Sequence, residues 1–180
     1  YDEFVAPGLL AAADMNGAIF ESTMNVFHKW KASKLYDSLL ATPLTAADIA
    51  LGEITWSVVR GLMYSCAFLV TMAALGMVHS PWMVMALPAS VLIGFAFASV
   101  GMVCTTYMRS WADFDYVPAL TLPLFLFSTT FYPLSTYGDW GWVVRVSPLY
   151  HGVALIRAAN LGEWSINLVG HAAVLVALAA

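Results

Sequence analysis

Apolar residues in this chain come in long blocks, and polar positions gather at the breaks between them. Five blocks stand out: about Phe4 to Phe27, Ile54 to Val78, Trp82 to Thr106, Tyr116 to Tyr132, and Trp164 to Ala180. From Gly61 to Met108 the one Asp, Glu, Lys, Arg or His is His79. That stretch is about twice the roughly 20 residues one helix needs to cross a bilayer. His79-Ser80-Pro81 divides it, since a short polar pair followed by proline punctuates helices. The pattern therefore predicts a tight hairpin of two spanning helices.

The most polar run, "KLYDSLLATPLTAADIALGE" (34–53), interrupts this oily background, with Lys29, Lys31 and Lys34 at its entrance. The spacing predicts a short helix over 29–41, with Leu35, Leu39 and Leu40 on one side and Lys34, Asp37 and Ser38 elsewhere. Pro43 stops it, because the residue before proline is pushed out of the helical region. Thr45 then caps a second helix, with Asp48 three residues on in a capping-box arrangement. That helix runs through Ile49 and Glu53 into the second block. An amphipathic surface helix can anchor on lipid headgroups. Here aspartates mix with the lysines, and few aromatics beyond Trp30 and Tyr36 serve as anchors, so seating in a groove on another protein fits better.

The first block carries Asp14, Asn16, Glu21 and Asn25, and a carboxylate in hydrocarbon is expensive. Asp14, Gly17, Glu21, Asn25 and His28 nevertheless follow one another at helical spacings and share one stripe. Two placements remain, a crossing helix whose stripe faces the bundle interior and an interfacial helix; the stripe favours crossing. In the third block Ser90, Gly94, Ala98 and Gly101 predict close helix packing.

Composition sharpens this picture. Hydrophobic residues make up 61% of the chain and charged residues 10%, with a mean hydropathy of +0.78. A soluble domain carries roughly 25% charged residues, so the expected home is a membrane. Lys29, Lys31, Lys34, Arg60 and Arg109 lie on one side of the predicted spans, and Arg145 and Arg157 on the other. This bias places 28–53 and 107–115 in the cytoplasm. A net charge of −4 without a basic patch argues against nucleic acid as a partner. Cys66 and Cys104 fall in apolar runs and read as buried, inert thiols. Asp113-Phe114-Asp115 reads as solvated, since two carboxylates seldom make a dedicated magnesium site. The chain opens on Tyr1 and stops at Ala180 inside an apolar run, so both ends are expected to be cut.

Residues 133–163 are too apolar for an exposed loop and too interrupted for a span. Pro133 ends the fourth block, and Trp140 and Trp142 suit the membrane–water boundary. Ser147-Pro148 signals a helix start, with the helix running to Leu161 and Gly162 just past its end. Of its polar members, His151 and Arg157, the arginine is expected to reach headgroups or pair with Glu163. His171 in the last block is expected to hydrogen-bond between helices.

Taken together, "FVAPGLLAAADMNGAIFES" (4–22), "KLYDSLLATPLTAADIALGE", "FYPLS" (131–135) and "SPLYHGVALIRAANLG" (147–162) resemble the membrane subunit of type-2 ABC exporters. The nearest branch is that of the nodulation-type lipooligosaccharide and antibiotic-efflux exporters. The likeness covers essentially the whole chain, and "LLATPL" and "SPLYH" are its most specific parts. It implies an all-α integral membrane protein, one transmembrane domain over 1–180. The polytopic helix bundle would have about five spans present of an expected six, a cytoplasmic coupling helix, and short re-entrant helices on the outer side. It also implies a first span missing here and a last span that is short.

By this resemblance the chain is a permease subunit of the bacterial cytoplasmic membrane, moving an amphipathic glycolipid, lipooligosaccharide or drug. Its partners would be a cytoplasmic nucleotide-binding ATPase, which binds the ATP and Mg, a second permease subunit, and membrane lipid. Contact with the ATPase would fall on Lys34, Leu35, Tyr36, Asp37, Leu39, Leu40, Thr42, Pro43 and Leu44. Candidates for the substrate path or its gate are Asp14, Glu21, Asn25, Pro133, Pro148, His151 and Arg157. No Gly-x-x-x-x-Gly-Lys phosphate cradle occurs and no zinc motif, so neither a catalytic nor a metal site is expected. The rival reading is an intramembrane enzyme acting on lipids, with the first-block carboxylates or His151 as acid–base groups. A channel or receptor subunit is a third, for which no selectivity-filter signature appears.

Overall fold

The computed structural model describes residues 2–162, 165 and 167–179, and the side chains from Phe4 onward. All regular elements among them are helical. Helix α1 (Asp2–Phe20) continues without interruption through two π-turns, Glu21–Asn25 and His28–Ala32. A short α2 (Leu35–Leu40) leads to the long α3 (Ala46–Ala74). After a turn with Gly76 at φ 73°, a 3-10 turn at Pro81–Met85 opens α4 (Ala86–Tyr107). Then come a 3-10 turn at Trp111–Asp115, α5 (Tyr116–Leu126), a 3-10 stretch at Leu134–Trp140, α6 (Gly141–Val146), α7 (Pro148–Leu161) and α8 (Asn167–Ala179).

The central element is α4, which packs against α1, α3, α7 and α8. Its small residues make this possible. Ser90, Gly94, Ala98 and Gly101 are all buried, as the small-residue spacing predicts. A Cβ at Gly101 would lie 2.0 Å from Ser22 Oγ and 3.1 Å from Ser22 Cβ, so α1 and α4 meet where only glycine leaves room. Thr105 Oγ1 donates across this contact to the Ser22 carbonyl, at 2.9 Å. Within the π-turn, Ser22 Oγ donates to the Ala18 carbonyl and Thr23 Oγ1 to the Ile19 carbonyl, at 2.7 and 2.6 Å. A π-turn widens the helix at such sites, and these hydroxyls serve backbone oxygens that the altered register leaves over.

Among the described residues, two helices are long and apolar enough to cross a bilayer, Ala46–Ala74 and Pro81–Tyr107. At 1.5 Å per residue they reach about 44 and 40 Å, against roughly 30 Å of hydrocarbon. Only Ile54, Ser57, Ser65 and Met72 of α3 are buried. Its other faces, with Trp56, Val59, Met63 and Val70 exposed, have the apolar surface a lipid-facing helix needs.

Three expectations are corrected. The fourth block does not form a helix to Tyr132: α5 ends at Leu126 and spans about 17 Å, short of a crossing. Pro123 inside it removes a backbone donor. Ser128, Thr129 and Thr130 then turn their hydroxyls on neighbouring groups, with Ser128 Oγ donating to the Phe125 carbonyl at 2.7 Å and Thr129 at φ 61°. The second block ends at Ala74, four residues early, where Gly76 takes a left-handed conformation. Cys66 is exposed on α3 and Cys104 half-buried on α4, so neither is buried as expected, although both are free. The fifth block is described from Asn167 on, so its start at Trp164 and its end at Ala180 lie outside the described residues.

The Gly101 contact gives a direct test. Gly101→Ala is expected to destabilise the protein by about 1–3 kcal/mol, the usual cost of overpacking, read as a lower melting midpoint in detergent. Adding Ser22→Ala, which removes the nearest atom, should recover most of the loss.

Candidate functional site

The polar insert folds as an elbow between α1 and α3. The expected single helix over 29–41 is broken in two. Residues 29–32 extend α1, the chain turns at Ser33 and Lys34, and the new helix is only Leu35–Leu40. Lys34 sits at φ 51°, in the left-handed region, which a non-glycine residue enters at a cost of about 1–3 kcal/mol. Ser33 Oγ donates to the Lys29 carbonyl at 3.0 Å and closes the end of α1. At the far side Thr42 Oγ1 donates to the Leu39 carbonyl at 2.6 Å, and Pro43 follows. The Thr45 cap forms as predicted: Asp48 Oδ2 accepts from Thr45 N at 2.8 Å, while Asp48 N donates to Thr45 Oγ1 at 3.3 Å.

The elbow is braced from beneath. Lys29 Nζ donates to both Glu53 oxygens at 2.8 Å, tying the end of α1 to the first turns of α3. Tyr36 and Leu40, one turn apart, line a groove with Trp30, Ala46 and Ile49. The Tyr36 hydroxyl has no partner of regular geometry; burial, and then the nearby Glu53 carboxylate, push its pKa up. Leu35 and Leu44 are exposed at 40% and 44%, while Leu40 is 49% exposed at the rim of the groove. Asp37 is exposed and Leu39 half-buried. The apolar surface that α2 leaves free is thus wider than a Leu35–Leu39–Leu40 ridge and includes Leu44.

A second clamp holds the end of α1. Phe27 is almost fully buried, its ring edge-on to Trp111 and Phe114 with centroids 5.1 Å away in both cases. Trp111 and Phe114, three apart in "WADFDY", share one face of a helical turn, a spacing that the reading of Asp113 and Asp115 as solvated leaves unused. Asp113 has a different task. Its Oδ2 accepts from the backbone of Arg109 at 2.7 Å and of Ser110 at 3.0 Å, capping the turn. No cluster of three or more His, Cys, Asp or Glu that could hold a metal exists among the described residues.

Within the bundle, Glu21 pairs with Arg60 of α3 and accepts from Asn25 Nδ2 at 3.1 Å. Asp14 accepts from Ser65 Oγ and is 5% exposed. Sequence spacing placed the α1 stripe correctly but left its partners unnamed, because Arg60 and Ser65 lie some 40 to 50 residues away.

In the segment expected on the outer side, Pro133 precedes the Leu134–Trp140 turn. Pro148 opens α7 and Gly162, at φ 70°, closes it, both as predicted. Arg157 does not snorkel outward. Its Nη2 donates to the Phe4 and Thr129 carbonyls at 3.2 and 2.9 Å, with the guanidinium 3.9 Å from the centre of the Phe4 ring. Two carbonyls on Nη2 and a ring face hold it inward, while Nε is buried without a partner; Glu163 lies outside the described residues. His151 Nε2 donates to the Arg145 carbonyl at 3.0 Å, so its Nδ1 accepts from His171 Nδ1 at 2.6 Å, the interhelical bond expected of His171. The substrate-path candidates therefore form two groups, Asp14, Glu21 and Asn25 along α1 and the π-turn that continues it, and Pro133, Pro148, His151 and Arg157 on α7 and before the Leu134–Trp140 turn.

Residues 1–161 match the family described as ABC-2 type transporter. The chain is 34% identical to Nodulation protein J of Sinorhizobium fredii over 163 residues, covering 89% of this chain and 62% of that protein. It is 30% identical to Nodulation protein J of Rhizobium leguminosarum bv. viciae over 177 residues, covering 97% of this chain and 68% of that one. The chain thus spans about two thirds of the length of these relatives. No solved structure matches it.

Two measurements test the elbow and its neighbouring turn. Lys34→Gly should be neutral to stabilising by up to about 1 kcal/mol, since relief of the left-handed strain is partly offset by glycine's unfolded-state freedom; Lys34→Val should lower the melting midpoint. The Thr45 hydroxyl and backbone hold Asp48 below the usual carboxylate range, and the Arg109 and Ser110 backbone donors do the same for Asp113. Both caps are therefore complete above the unfolded carboxylate pKa of about 3.9 and are lost as pH falls through the lower folded values. Hydrogen exchange at 46–49 and 111–114 should accelerate, relative to the intrinsic rate, only in that acid window. Asp48→Asn and Asp113→Asn should remove the acid step in their own turn.

Proposed function

Since the chain belongs to the ABC-2 type transporter family, and so is an integral membrane protein and a transport component, we propose that it is the permease of an ATP-driven exporter in a bacterial cytoplasmic membrane. Its cargo is an amphipathic molecule, a glycolipid, lipooligosaccharide or drug. The braced elbow carries this reading. A six-residue helix with exposed leucines, mixed charge and two tied ends is suited to take a push from a protein partner, and poorly suited to float on lipid.

The partner is a cytoplasmic nucleotide-binding ATPase, which binds the ATP and Mg that this chain does not hold. It seats on the segment from Lys34 to Leu44, with Leu35, Leu39, Leu40 and Leu44 as the apolar contact. Displacement of α2 acts on α1 and α3 together, because Lys29–Glu53 joins their cytoplasmic ends and Phe27 is gripped by Trp111 and Phe114. A nucleotide-dependent change of bundle requires that the two arrangements interact differently with the partner. A two-ended, short elbow transmits such a difference where a flexible loop would absorb it.

Five membrane segments follow from this reading: α1, α3, α4, α5 with the re-entrant stretch after it, and α8. The Arg157 contacts with Phe4 and Thr129 favour an exit closed on the outer side by α7 and the turn at 127–133. The exposed apolar face of α3 suits lipid or a second permease subunit.

Leu39→Asp or Leu40→Asp is expected to leave membrane insertion intact and to reduce export at least tenfold, the effect of placing a charge in a desolvated contact worth more than about 1.4 kcal/mol, while the ATPase continues to turn over. Normal export by either variant with its ATPase would rule out the docking role. Turnover of lipid by the isolated chain, with no ATPase copurifying from native membranes, would favour the enzyme reading instead.

A further inference from the structure

Asp14 lies on α1 among buried side chains, is 5% exposed, and faces α3 and α4 through two serines that are themselves enclosed, Ser65 at 0% and Ser90 at 4%. Ser65 Oγ donates to Asp14 Oδ1. The second carboxyl oxygen, Oδ2, is buried without a partner, and so is Ser90 Oγ, which is near enough to the carboxyl to interact with it. Two buried oxygens left over side by side are an anomaly, since buried polar groups are nearly always paired.

Among the described residues no positive charge answers Asp14. On α1 the next ionised group is Glu21, seven residues or about 10 Å along the axis, and it is itself paired. On α3, Arg60 is committed to Glu21, and Glu53 to Lys29. Helix α4 carries no charged residue. On α7, Arg157 is held by Phe4 and Thr129, and His151 by Arg145 and the α8 residue His171. A carboxylate inside an apolar bundle, with the hydroxyls of Ser65 and Ser90 as its only donors and no cation, carries a cost that such groups ordinarily escape by taking up a proton.

We propose that Asp14, with Ser65 and Ser90, is a proton-binding site, in which the side chain is a neutral acid with the proton on Oδ2, donated to Ser90 Oγ. The acid proton pairs Oδ2 with Ser90 Oγ and leaves no net charge in the bundle. Ser65 remains the donor to Oδ1, so each carboxyl oxygen has a partner. Nothing else in the bundle has to move. Because the site joins α1, α3 and α4, any arrangement that admitted water to it would release the proton, which makes its occupancy a reporter of bundle opening. This is independent of the exporter reading.

The test is infrared difference spectroscopy of the full-length protein in lipid nanodiscs at neutral pH, comparing wild type with Asp14→Asn. A neutral-acid carbonyl band that shifts in heavy water and is lost in Asp14→Asn is expected. Ser90→Ala should move that band to the frequency of a less hydrogen-bonded acid, and it supplies the readout should Asp14→Asn fail to fold. Labelling by an apolar carbodiimide, which attacks protonated carboxyls, should fall to background in Asp14→Asn. A wild-type spectrum with only carboxylate bands would overturn the proposal. So would a neutral-acid band that sodium ions abolish at fixed pH, which would mark the cluster as a metal-cation site.

Discussion

In hydrocarbon no solvent is available to pair a polar group, and that constraint organises this molecule around α1. The helix carries Asp14, Glu21 and Asn25 within an apolar bundle, and each finds at least one partner within the chain. Arg60 comes from α3 to Glu21, Ser65 from α3 to Asp14, and Thr105 from α4 to the Ser22 carbonyl. These pairings require the helices to approach closely, and the glycines and alanines of α4 permit it. Removing a small residue or a polar partner therefore disturbs the same contact from two sides.

Because α1 is tied along its length, it also links the two faces of the bundle. At its C-terminal end it is held by Lys29–Glu53 and by the aromatic clamp on Phe27. At its N-terminal end its Phe4 carbonyl and ring receive Arg157 of α7, and Gly8 passes so near Thr130 that a Cβ would sit 2.9 Å from the backbone. The helix is thus fastened at both ends. By contrast α3 is held along one face only, and its remaining surface is free to meet lipid or another chain.

Local signals were readable wherever the physics is local. Thr45 with Asp48, Ser147 with Pro148, and Gly162 each act within one helical turn, and each marks its boundary where the sequence places it. Signals that depend on competition were misread. Pro123 and the three hydroxyls of Ser128–Thr130 look compatible with an apolar helix until their own hydrogen bonds are counted against the backbone's. The charge on Arg157 suggested a headgroup, yet the Phe4 and Thr129 carbonyls that hold it are 153 and 28 residues away in sequence.

By itself, then, the sequence determined that the chain is a helical membrane protein, where most of its helices begin, and which face of α4 packs. Those properties follow from hydrophobic block length, capping chemistry and residue size, all of which are set within a few turns. The tertiary structure alone decided that the insert breaks at Lys34, that Glu21 meets Arg60, that Phe27 is clamped by the turn at Trp111–Asp115, and that Asp14 is sealed with two serines. Each is a pairing between residues distant in the chain, whose energy depends on a separation and an orientation that exist only once the helices have packed.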